Sequence, residues 1–167
     1  NACDRDAWLA ALDHNLLAAA RLTQALLPDL RARGWGRIVN LGTLGSTRPG
    51  AVMPHYYAAK GALATLTQSL AKAVAGTGIT VNLVSPGLIL TEEVRTHWME
   101  RGRREGIGET WEEIEAHLAT HEFANPLGRI ARPEDVADAV LFLVSDRAAF
   151  VHGQNLHIDG GALGIVS

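Results

Sequence analysis

Residues 36–91 read GRIVNLGTLGSTRPGAVMPHYYAAKGALATLTQSLAKAVAGTGITVNLVSPGLILT. Arg37-Ile38-Val39-Asn40-Leu41 is a short, mostly apolar run of strand type. A loop rich in Gly, Ser, Thr and Pro fills 42–54, and a helix is predicted over 56–75, stopped by Gly76-Thr77-Gly78. Residues 79–84 form a second strand, which Ser85-Pro86-Gly87 breaks. Strand, helix, strand in this short interval is the signature of parallel strands joined by a crossover helix.

Upstream, Trp8, Leu9, Leu12, Leu16, Ala19, Leu22, Leu26 and Leu30 recur mostly at spacings of three and four, which predicts one long helix over 6–33. Asp4 or Asp6 caps its start, Pro28 bends or tightens its last turns, and Gly34-Trp35-Gly36 ends it. Downstream, Pro133 opens another helix with Glu134 and Asp135 in its first turn, where the helix dipole favours anions. Residues 154–158 form a last short strand before Gly160-Gly161. The expected class is α/β, one domain over 1–167 with three parallel strands and long helices. The segment 91–126 differs, carrying Trp98, Met99, Trp111 and Phe123 among many charges. It reads as one or two short helices inserted after a strand end, where α/β sheets bind ligands, and therefore as a lid over a substrate.

Composition narrows the function. A net charge of −3 argues against a nucleic-acid or anionic-membrane surface, both of which need clustered Lys and Arg. No apolar run approaches the roughly 18 residues of a membrane span, and the polar opening Asn1-Ala2-Cys3-Asp4 carries no secretory signal. A single cysteine, Cys3, cannot form an internal disulfide, which fits a reducing cytoplasm, and no base stands beside it to make it reactive.

Tyr56 and Lys60 are i and i+4, so they share one helix face about 5–6 Å apart. A free tyrosine ionises near 10 and is a poor base at neutral pH. A cation at about 4 Å, in an effective dielectric near 20, supplies the roughly 4 kcal/mol needed to bring it into the working range. The spacing alone is common in helices and does not identify a site. His117 and His121 are also i and i+4, with Glu113 one turn earlier, a spacing compatible with metal. A polar stripe on a charged helix is the better reading, and no metal is expected. His55 abuts Tyr56 and is a candidate for facing a substrate; His14, His152 and His157 suggest no role.

The chain resembles the short-chain dehydrogenases/reductases, in particular their 3-oxoacyl-ACP-reductase-like members. The pieces that carry the resemblance are LDHNLLAAARLTQALLP, GRIVNLGT, YYAAK, GITVNLVSPGLILT, NPLGRIARPEDVADAVLFLVSD and GQNLHIDGG, in that order along the chain. The resemblance implies a Rossmann-like doubly wound sheet and hydride transfer between NAD or NADP and a carbonyl or alcohol. It implies Tyr56 as general acid/base and a cofactor contact, Lys60 on the cofactor ribose and beside the tyrosine, and Asn15 holding a relay water. Thr43 stands 13 residues before Tyr56, where the family usually has serine. It offers the same donor and acceptor with a stiffer, bulkier side chain, and Ser46 is a nearby substitute. Tyr57 is one residue out of step for the tyrosine–lysine pair and is expected to pack or to line the substrate side. Pro86, Gly87, Ile89 and Thr91 would contact the nicotinamide.

The family's first half, with its glycine-rich phosphate loop and the residue that selects NAD or NADP, has no counterpart in these 167 residues. Asn1-Ala2-Cys3 is a faint match to the family's Asn-Asn-Ala-Gly turn. The strands here therefore form only the C-terminal half of such a sheet, and the strand at 37–41 lacks a partner on one side. Two functions follow as expectations. One is an oxidoreductase acting on a small carbonyl or alcohol, pairing as a homodimer or homotetramer through the helices at 6–33 and 56–75. The other is a truncated, non-catalytic homologue that works through that helix-pair surface.

Overall fold

The computed structural model describes residues 4–164. Three parallel strands, β1 (Gly36–Leu41), β2 (Ile79–Pro86) and β3 (Asn155–Ile158), pair in the order β1-β2-β3. Gly36 lies opposite Ile79 and Leu41 opposite Val84, while Leu83 meets Asn155 and Pro86 meets Ile158. Every residue of the central strand β2 is buried, as expected for a parallel strand covered on both faces. The outer edge of β1 carries no further strand among the described residues.

Helices cover both faces, which makes the sheet doubly wound. Side chains alternate across a strand, so Ile79 and Val81 point one way and Val84 the other. The first pair packs with Leu27 and Leu30 of α2 (Ala18–Arg33) and with Ala71 and Val74 in and just beyond α3 (Pro54–Ala73). Val84 packs with Val136, Val140 and Leu143 of α6 (Pro133–Val144). His152 ties the first layer to the sheet: its Nδ1 accepts the Val81 N–H (3.1 Å) and its Nε2 donates to the Ala71 carbonyl (2.8 Å).

Three details differ from the sequence reading, and one of its alternatives is resolved. The helix expected over 6–33 is α1 (Arg5–Leu12) and α2 joined by a π turn, Asp13–Leu17. One wider turn leaves the spacing of apolar residues nearly unchanged, so the pattern does not reveal it. Asp4, not Asp6, caps the start by accepting the Ala7 N–H (2.9 Å). Pro28 does not tighten the end of the helix, since α2 stays α-helical to Arg33 and closes on Gly34 in the left-handed region (φ 65°). β2 runs on through Ser85 and Pro86, because its last ladder bond comes from the Gly87 N–H to the Ile158 carbonyl (3.0 Å) and does not use the amide that proline lacks.

The segment after β2 folds into two helices, α4 (Glu92–Glu105) and α5 (Trp111–Thr120). Thr91 caps the first, and Thr110 with Glu113 forms a capping box on the second. Trp98, Trp111, Ile114, Leu118 and Ile130 bury together as a core separate from the sheet's. Leu88 and Leu90 reach into it from the strand side, and a parallel bridge between Ile89 and Ala131 closes its base. Arg129 holds Asp135 in a two-point fork (2.7 and 2.8 Å), and the same carboxylate accepts the Arg132 N–H (2.7 Å). These bonds keep Asp135 well below the usual carboxylate range.

Candidate active site

The site assembles at the carboxyl ends of β1 and β2. Leu41 ends β1, and the buried Gly42 turns the chain outward while its N–H donates to the Val84 carbonyl (2.7 Å). A β-carbon on Gly42 would lie 2.5 Å from the Ser85 hydroxyl, so only glycine passes here. Thr43 follows as the cap of a short 3₁₀ turn, its hydroxyl oxygen accepting the Gly45 N–H (3.2 Å). The Thr43 hydroxyl also lies close enough to the Tyr56 phenol to favour its phenolate. The Ser46 hydroxyl donates to the Thr43 carbonyl (2.8 Å) and fastens the turn.

Pro54 at the first position of α3 sets the helix off two residues earlier than expected. Tyr56 and Lys60 then fall on one face, with the ammonium 5.9 Å from the centre of the tyrosine ring. Lys60 also donates to the Leu41 carbonyl (2.8 Å), which anchors it to the end of β1. Thr43, Tyr56 and Lys60 thus come together from a loop and a helix.

The electrostatics depart from the sequence expectation. Tyr56 was expected to ionise below the usual tyrosine value; in the structure it is pushed above it. Burial, which disfavours the phenolate, is the largest cause; the Thr43 hydrogen bond opposes it and Tyr57 adds to it. Burial likewise lowers Lys60. A raised value favours the neutral phenol, so its stabilising effect is full below about pH 10 and is lost as pH rises through the higher folded value. An ultraviolet difference titration of the protein against its Tyr56→Phe variant, without added nucleotide, should therefore show ionisation above the free-tyrosine range. An onset at or below that range would contradict the assignment.

The other sequence candidates separate. Asn15 sits in the π turn, which packs against α3, and its amide donates to the Ala11 carbonyl (3.0 Å). Pro86 ends β2 and Gly87 follows it, one strand over from the β1 end that leads to Thr43. Ile89 packs under α6, and the Thr91 hydroxyl caps α4, so both also serve the fold. His55 meets Trp8 of α1 edge-on (6.2 Å). His14 faces the Ala10 carbonyl of its own helix (2.8 Å), and His157 lies beside Asn155 (3.4 Å). His117 and His121 stack (4.1 Å), while Glu113 is spent on the Glu109 and Thr110 amides. Among the described residues no group of three metal-ligating side chains gathers. Cys3 and the Asn1-Ala2-Cys3 turn lie outside the described residues.

One contributor was missed from the sequence, the Leu41 carbonyl that holds Lys60. The ring of Tyr57, expected to pack or to line the substrate side, has Gly45 and Gly50 against it. A hint existed in the three glycines at 42, 45 and 50 just before a double tyrosine.

Residues 1–162 match the family model described as enoyl-(acyl carrier protein) reductase. The chain is 35% identical over 156 residues to the 3-oxoacyl-[acyl-carrier-protein] reductase FabG of Salmonella typhimurium, covering 93% of this chain and 57% of that protein. It superposes on L-sorbose reductase of Gluconobacter frateurii, solved with NADPH and L-sorbose, with a TM-score of 0.89 and 31% identity. That match covers 98% of this chain and 61% of the other. A short-chain dehydrogenase/reductase family oxidoreductase from Burkholderia thailandensis matches with a TM-score of 0.79 and 34% identity, over 98% of this chain and 59% of that one. The chain therefore spans about three fifths of the length of these relatives. On sequence and fold together, it belongs to the short-chain dehydrogenase/reductase family.

Proposed function

We propose that this chain is the catalytic portion of an NAD(P)-dependent reductase that converts a carbonyl to an alcohol, or the reverse. The observation that carries the reading is the convergence of two hydroxyls, Thr43 and Tyr56, with a cation on the tyrosine ring. Thr43 orients the carbonyl oxygen. Tyr56, held neutral by its surroundings, gives that oxygen its proton as the carbon is reduced. Lys60 lies over the ring and stabilises the phenolate left behind. Asn15, in a π turn that packs against α3, supports a relay back to Lys60 in this reading.

The residues fit a nicotinamide nucleotide by the chemistry of their donors. Lys60 spends one of its three N–H donors on Leu41, which leaves two for the hydroxyls of a ribose. Pro86, Gly87, Ile89 and Thr91 line the adjacent strand end, at the position where parallel sheets take their ligands. When bound, the nicotinamide supplies or accepts the hydride. Both NAD and NADP suit these residues; the L-sorbose reductase relative was solved with NADPH.

The α4–α5 unit at 91–126, with its own core, suits the role of a lid that shapes the substrate side. A stripe of exposed leucines on the first helices, Leu9, Leu17, Leu22 and Leu26, suits pairing with a second copy. No helix among the described residues is long and apolar enough to cross a membrane. Cytoplasmic residence is part of the same proposal.

The test is nucleotide oxidation by the whole protein that carries this chain, with NADPH and NADH in turn. A 3-oxoacyl thioester, a 2-enoyl thioester and a ketose serve as substrates. Turnover of a carbonyl substrate is expected. Reduction of the enoyl thioester alone would overturn the carbonyl reading, and binding of neither nucleotide would favour a non-catalytic homologue.

A further inference from the structure

We propose that Tyr57 is a positioning residue that clamps the 42–54 loop and so sets Thr43 against Tyr56. This rests on the catalytic reading of Thr43 and Tyr56 given above. The loop has little else to hold it. It contains three glycines, only Gly42 in its first ten residues is buried, and its regular structure is the single 3₁₀ turn Leu44–Ser46. The ring of Tyr57 supplies the missing support. Gly45 lies close against it: a β-carbon there would fall 2.5 Å from Cδ1 of Tyr57, inside any real contact. Gly50, on the return limb of the loop, approaches the other side of the ring, where a β-carbon would lie 3.3 Å from the phenol oxygen and 3.6 Å from Cε2.

The ring is thus gripped between both limbs of the loop. Tyr57 is itself fixed, since it belongs to the first turn of α3, its N–H donates to the Met53 carbonyl (3.1 Å), and its ring meets Tyr56 edge-on (5.5 Å). Adjacent tyrosines therefore divide the work. Tyr56 meets the hydroxyl of Thr43, and Tyr57 holds the backbone two residues further on. Gly45 links the two, because its N–H is the donor that occupies the Thr43 oxygen (3.2 Å). A loop that lifts from Tyr57 carries that N–H away and frees the Thr43 hydroxyl to turn. A misplacement of about 1 Å in a reacting group can cost about 10²-fold in rate.

The experiment is a cycle of kcat measurements on the whole protein. Tyr57→Phe keeps the ring and should keep kcat within about twofold, while Tyr57→Ala should lose roughly 10- to 100-fold in kcat. In a Thr43→Val background, Tyr57→Ala should cost little more, because residues acting through one another are not additive. Gly45→Ala keeps Tyr57 but pushes the loop off its ring, and it should mimic Tyr57→Ala even if the latter folds poorly. Full additivity with Thr43→Val, or wild-type kcat in both Tyr57→Ala and Gly45→Ala, would overturn the proposal. The catalytic reading fails separately: turnover surviving in Tyr56→Phe would sink that reading, whereas a dead Tyr56→Phe beside an unaffected Tyr57→Ala would sink only the clamp.

Discussion

Tyr56→Phe should lower kcat by about 10²–10⁴-fold, the usual contribution of a positioned general acid or base. The substitution removes one oxygen from a half-buried ring. Structurally it loses only the polar approach of the Thr43 hydroxyl, and it relieves the burial of a polar group. The melting temperature should therefore hardly move, and nucleotide affinity should persist because Lys60 and the strand ends are untouched. A loss of turnover without loss of folding or binding is the signature of a proton-transfer role. Steady-state kinetics, thermal melting and nucleotide binding on the same preparation decide it. Turnover within a few fold of wild type would mean that the proton comes from elsewhere, and the reading of the site would have to be abandoned.

Ile114→Ala should destabilise the α4–α5 unit by about 2–5 kcal/mol, the range for truncating a fully buried aliphatic side chain. Ile114 is 0% exposed at the centre of the cluster formed with Trp98, Trp111, Leu118 and Ile130. Its side chain presses on Gly102 of α4, where a β-carbon would lie 2.6 Å from Cδ1. The two helices approach closely because one offers a glycine and the other a branched chain that fills the space. Removing that chain leaves a cavity between rigid indoles, which cannot collapse into it. The core is separate from the sheet's, so the loss should appear first as faster amide exchange in α4 and α5 while β1 and β2 stay protected. With the unit acting as a lid, KM should rise more than kcat falls. A change below about 1 kcal/mol would show that the segment has no core of its own.

The sequence by itself determined the class of fold and the pairing of Tyr56 with Lys60. Alternation of apolar runs with helical spacing is a local property, written at periods of two and 3.6, so β1, α3 and β2 were legible within a residue or two. The i, i+4 geometry follows from the helix alone. What only the tertiary structure decided are the features that depend on neighbours distant in sequence. The π turn that carries Asn15 leaves the apolar spacing nearly unchanged. The approach of Thr43, and not Ser46, to the Tyr56 phenol depends on how the 3₁₀ turn folds over α3. The direction of the Tyr56 shift depends on burial by surrounding elements, and the Lys60 charge one turn away is not among its causes. The role of Tyr57 depends on two glycines, seven and twelve residues upstream, folding back onto its ring. Local periodicity reports the backbone; packing between segments sets the electrostatics and the loop, because desolvation and contact are properties of three-dimensional neighbours.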